Sequence, residues 1–137
     1  MDITNQIQTH TLNHLLHSEE YCRRVIPYLK KEYFEGAHKT VFDLIVGFVH
    51  KHNKLPTGKV LKIELQKINA HEEIINSAGQ LIQELKTKSD LDTDYLINET
   101  EKWCKERSVY LAIMESINII DGKDKEKGEG SIPEILS

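Results

Sequence analysis

The stretch that decides the fold is Thr93–Ile120, TDYLINETEKWCKERSVYLAIMESINII. It contains neither proline nor glycine, which in a helix interior cost about 3 and about 1 kcal/mol relative to alanine. Apolar residues recur seven apart at Leu96, Trp103, Tyr110 and Ile117, and Ile113, Met114 and Ile120 fill the same side. That period predicts one helix, roughly 40 Å long at about 1.5 Å per residue. Asp92 or Thr93 is placed to cap it. Asp121-Gly122 reads as its C-terminus, a charged loop follows to Gly130, and Ser131–Ser137 reads as the start of another helix at which the sequence stops. A long helix with a seven-residue stripe and a second arm only begun predict a helical hairpin cut from a larger protein. They point to assembly rather than catalysis.

Upstream, the punctuation is equally helical. Ile7, Leu12, Leu15 and Leu16 fit one face of a first helix ending near His17. Ser18 is a good cap for a second helix, with Glu19 and Glu20 in the first turn, where the helix dipole favours negative charge. Cys22, Val25, Ile26 and Leu29 are its inward residues, and Glu19–Arg23 and Glu20–Arg24 stand four apart in the favourable order. Pro27 should kink or end that helix, because the residue before proline avoids the helical region. Lys31–Phe34 reads as a short turn broken at Gly36. A third helix carries Val41, Leu44, Ile45, Phe48 and Val49 and stops at His52-Asn53. Thr57 caps a fourth with Val60, Leu61, Leu65 and Ile68. Ile74, Ile75, Ala78, Leu81, Ile82 and Leu85 make a fifth, the cleanest amphipathic pattern in the chain. No alternating run supports a strand. The expected fold is all-α: a bundle of short helices over residues 1–88 (the head), then 93–137 as long helix, charged loop and start of a return helix, together one structural domain. A head of that size cannot cover the whole length of the long helix.

The composition permits this. With 137 residues, a core can form without staples. A hydrophobic share of 39% and a charged share of 29% are ordinary for a globular protein, and a net charge of −4 excludes wrapping of nucleic acid by the whole chain's field. Two distant cysteines, Cys22 and Cys104, have neither the number nor the spacing of a disulfide framework or zinc site, and read as buried thiols. No apolar run approaches the roughly 20 residues that span a bilayer, and the N-terminus lacks a secretory pattern. A cytoplasmic protein without membrane contact is expected.

The sequence carries little that points to chemistry. No phosphate-binding glycine loop is present. His10, His14 and His17 share a helical face at metal-like spacing, but no carboxylate or thiol completes a set in that helix, so they read as exposed polar residues. Asp121, Asp124, Glu126 and Glu129 lack the order of a calcium loop and have lysines among them. No catalytic, cofactor or metal residue is expected. Two sets of candidate contact residues remain. Lys51, Lys54, Lys59 and Lys62 surround the Leu55-Pro56 turn and offer a contact for nucleic acid or an acidic partner. Tyr110, Ile113, Met114, Ile117 and Ile120, with Ile119 on another side, are more apolar surface than one buried face accommodates, and read as an oligomer interface.

The runs Glu20–Leu29 and Glu32–Glu35, then Lys54-Leu55-Pro56-Thr57, Glu99-Thr100-Glu101-Lys102-Trp103 with Arg107, and Ser131–Leu136 resemble the N-terminal region of the replicative helicases of T-even-type bacteriophages, which are DnaB-like hexameric helicases. The match covers nearly the whole chain in short scattered pieces. The resemblance implies a role in DNA replication: a collar domain whose helical hairpins pair, as dimer or hexamer, and which serves as a docking platform for primase. It places Tyr110, Met114, Ile117 and Ile120 in the hairpin interface. It further implies a parent that is an ATP-dependent helicase moving 5′ to 3′ along single-stranded DNA, with ATP and magnesium held by a motor domain that these residues lack. The alternative expectation is a stand-alone helical DNA-binding protein that loads or assists a helicase.

Overall fold

The computed structural model describes residues 3–120, with side chains from Gln6 onward. Six α-helices account for most of them: α1 Ile3–His17, α2 Glu19–Val25, α3 Gly36–His52, α4 Gly58–Lys67, α5 Glu72–Glu84 and α6 Thr93–Ile120, with a 3₁₀ turn at Lys31–Tyr33. No strand occurs among the described residues, so the fold is all-α as expected. The expected charged loop (121–130) and return-helix start (131–137) lie outside the described residues. The chain divides into two compact units, residues 1–101 and 102–137.

The boundaries follow from local chemistry. The Ser18 hydroxyl accepts from the Tyr21 N–H and starts α2, and Thr57 does the same for Val60 at the head of α4. Asp92 Oδ2 accepts from the Tyr95 N–H at 2.8 Å and starts α6. α2 ends at Val25, two residues before Pro27. Asn53 closes α3 in the left-handed region at φ 54°, a conformation asparagine tolerates better than most residues.

In the first unit, α3 is the central element, packing on α1, α4 and α5. Its Val41, Phe42 and Ile45 are buried with Leu61 and Leu65 of α4 and Ala78, Leu81 and Ile82 of α5. Phe42 stacks on Phe34, with centroids 4.4 Å apart. Ile74, expected inside, is instead exposed. In α2, Tyr21, Cys22 and Val25 point inward, and burial pushes the Cys22 thiol pKa up, which suits an inert core thiol. Tyr21 Oη and Thr100 Oγ1 share a buried 2.6 Å hydrogen bond that ties α2 to the early turns of α6. Arg24 lies 4.0 Å from Glu20 and 3.9 Å from Asp94. Both pairs are solvent-exposed and contribute little. The companion pair expected at Glu19–Arg23 does not form among the described residues.

The first helix departs from its expected reading. The inward stripe is Gln8, Thr11, Leu12 and Leu15, rotated from the expected Ile7–Leu12–Leu15–Leu16, which leaves Ile7 and Leu16 half-buried. The three histidines are not exposed polar residues. His14 is fully buried and His10 and His17 are half-buried. Each reaches the 85–91 connector between α5 and α6. His17 Nε2 bonds the Leu85 carbonyl at 2.8 Å, His14 Nε2 the Leu91 carbonyl at 3.2 Å, and His10 Nδ1 the Ser89 hydroxyl at 3.2 Å. Asn13 works in both directions, its Nδ2 donating to the Thr87 carbonyl at 2.8 Å and its Oδ1 accepting from the Ser89 N–H at 2.7 Å. A connector without regular structure has backbone groups that must find partners once it is covered. The α1 side chains supply those partners, so polarity on α1 marks burial, not exposure. Burial holds the His14 imidazole pKa below its ordinary value, with the nearby Lys88 charge adding to the effect.

Candidate functional site: an unpartnered apolar face on α6

The second half of α6, within the 102–137 unit, has two faces. Taking about 100° of rotation per residue, Val109, Ile120, Ile113, Ile117, Tyr110 and Met114 fall on one arc of roughly 140°. Ile119 falls on another side and Ser116 borders the arc next to Val109, and both are buried. The Ser116 hydroxyl donates to the Ala112 carbonyl at 2.9 Å, which satisfies it inside that buried face. The arc facing outward is apolar yet open, from 39% exposure at Met114 to 62% at Ile120. Of the ten exposed large hydrophobic residues in the described chain, six are these. Single exposed apolar residues need no explanation, whereas a contiguous set does.

The arc has internal order. Tyr110, Ile113, Ile117 and Ile120 repeat at spacings of three, four and three, the seam of a helix pair, and Val109 and Met114 flank them. The Arg107 guanidinium lies 5.0 Å from the Tyr110 ring centroid and holds the ring over one side of the seam. Lys105, Glu106, Val109, Tyr110 and Ile113 line a shallow groove whose walls are almost wholly apolar. Such a surface can bury itself against a matching one. No group of three metal-binding side chains occurs among the described residues, and no described helix is long and apolar enough to cross a membrane.

All five residues expected at an oligomer interface, Tyr110, Ile113, Met114, Ile117 and Ile120, are therefore on one open arc. Val109 joins them and was missed, although its place four residues before Ile113 carried the signal. The four lysines belong to the other unit. Lys51 lies in the last turn of α3, Lys54 in the α3–α4 elbow, and Lys59 and Lys62 stand three apart on α4. All four are exposed, and Lys62 Nζ donates to Gln83 Oε1 at 2.7 Å.

With the geometry in view, comparison with known proteins adds one relationship. No family model matches the chain. It is similar to a DnaB-like replicative helicase of Enterobacteria phage T4, 29% identical over 134 residues, which is 91% of this chain. The chain spans 28% of the length of that relative. The likeness supports a helicase-related domain and bears out the resemblance read from the residues.

Proposed function

We propose that the chain is the N-terminal collar domain of a phage replicative helicase, and that its work is to join subunits through the open arc of α6. The observation that carries this is the clustering of Val109, Tyr110, Ile113, Met114, Ile117 and Ile120 on one exposed face. The similarity to a protein named a replicative helicase supplies the setting, because an organising domain of such a machine needs a self-complementary surface. In this reading a second copy covers the arc, the assembled collar, dimeric or hexameric, is the platform on which primase docks, and strand separation belongs elsewhere. The sequence has no phosphate-binding loop, so these residues do not fit ATP and magnesium. Hydrolysis, and travel 5′ to 3′ along single-stranded DNA, are assigned to a motor domain that these residues do not contain.

Magnitudes set the strength expected. Residues 109–120 extend about 18 Å along the helix at about 1.5 Å per residue. One face of that length falls well short of the ~800 Å² per partner of a standard interface. Apolar burial yields roughly 25 cal/mol per Å², and association costs of at least about 4 kcal/mol oppose it. The isolated chain should therefore associate weakly and reversibly. Sedimentation velocity over a concentration series tests this: the average mass rises with concentration, and Ile113→Asp with Ile117→Asp returns it to that of a monomer while helical content by circular dichroism is unchanged. A large assembly untouched by the double substitution would place the interface elsewhere.

A further inference from the structure

We infer that the elbow joining α3 to α4 is a contact surface for single-stranded nucleic acid. Residues 44–63 contain no acidic side chain and hold Lys51, Lys54, Lys59 and Lys62 with His50 and His52. Residues 64–101 carry nine acidic side chains against three lysines. The charge of an acidic chain is thus sharply segregated, with a local positive elbow. Lys51, Lys54 and Lys59 are exposed and form no ion pair among the described residues, and the hydrogen bond of Lys62 goes to the neutral Gln83 amide. Among the described residues none of the four positive charges is paired with a carboxylate, which leaves them for phosphates.

A second observation selects the kind of polyanion. The exposed His52 ring rests on Phe48, with centroids 4.3 Å apart and the planes tilted by 37°. The imidazole is held against Phe48 and is exposed, a flat surface that stands between Lys51 and Lys54 in the sequence. An unpaired base can stack on it, whereas an acidic peptide has no use for it and a duplex keeps its base faces covered. Lysines contact phosphates as point charges without reading sequence, so the binding is sequence-tolerant. The charge segregation stands by itself, and the preference for DNA as the strand rests in part on the helicase reading.

The test is fluorescence anisotropy with a labelled thymidine oligonucleotide and the full chain. Four phosphate contacts on a single strand give a log–log salt slope of about −2.8, or roughly a fifty-fold loss of affinity between about 50 and about 200 mM salt. Replacing Lys51, Lys54, Lys59 and Lys62 together by glutamine should abolish binding, with circular dichroism confirming the fold. His52→Ala should weaken binding about five-fold at every salt concentration while leaving the slope in place. No binding at about 20 mM salt, unchanged binding by the four-lysine variant, or equal displacement of the oligonucleotide by polyglutamate would each overturn the inference. Sedimentation of the same four-lysine variant reads assembly separately, because its mass–concentration curve should match that of the parent chain whatever the oligonucleotide does.

Discussion

The first helix and the second half of the last invert each other. α1 buries Gln8, Thr11, Asn13 and His14, while α6 from Val109 onward leaves a set of aromatic and aliphatic side chains open. On α1, Asn13 and His14 are inside with bonds to the backbone of the connector, and Gln8 Oε1 accepts from the Glu35 N–H. On α6, apolar atoms are outside with nothing in the described chain over them. Hydropathy by itself misreads both. The difference teaches that a polar helix face is either solvated or committed to backbone, and that an apolar one is either core or waiting for a partner.

The largest effect should come from Asn13, whose side chain both donates and accepts. Asn13→Ala leaves the Thr87 carbonyl and the Ser89 N–H without these partners, and should cost about 2–3 kcal/mol in urea unfolding. A cost below about 0.5 kcal/mol would mean that water takes over both bonds and that the contacts from α1 to the connector are incidental.

These α1–connector bonds also explain which parts of the fold were legible in the sequence. Ser18, Pro27, Asn53, Thr57 and Asp92 act through bonds and dihedrals within a few residues of themselves, so their meaning is local and readable. The buried roles of His14 and Asn13 depend on a connector more than 70 positions away, which no local period records. On α6 the open stripe was legible because helical spacing is local, except for Val109. What lies over the stripe is a property of more than one molecule, and no single-chain pattern carries it.

Acidification probes the polar contacts of α1 in a second way. Burial lowers the pKa values of both His14 and His38 below the ordinary 6.5. His38 Nε2 shares a 2.8 Å hydrogen bond with Thr9 Oγ1, again from α1. The folded chain then binds fewer protons than the unfolded chain in this range. The contribution of these groups is fully present above pH 6.5 and is lost as pH falls through their lower folded values. Urea midpoints measured from pH 7.5 down to pH 5 should decline, and His14→Gln should flatten that decline. A midpoint that rises on acidification would contradict the assignment.

A smaller loss is expected at Tyr21. Tyr21→Phe removes the buried bond to Thr100 and should cost about 1 kcal/mol, with no change in association. The smallest folding effect belongs to the open arc. Val109→Ser or Ile117→Asp should change unfolding stability by less than about 0.5 kcal/mol, measured where the chain is monomeric. A loss of several kcal/mol at either site would make the arc part of the single-chain core and erase the contrast with α1.

The chain has two methionines, Met1 and Met114, and only Met114 lies on the arc. Carbon-13 labelling of the methionine methyls therefore gives two NMR signals, one of them from the proposed interface. As concentration is raised, the Met114 signal should shift or broaden in step with the sedimenting mass while the Met1 signal stays still, and Ile117→Asp should abolish the change. A mass that grows while the Met114 signal remains fixed, or no growth at any accessible concentration, would contradict assembly through α6.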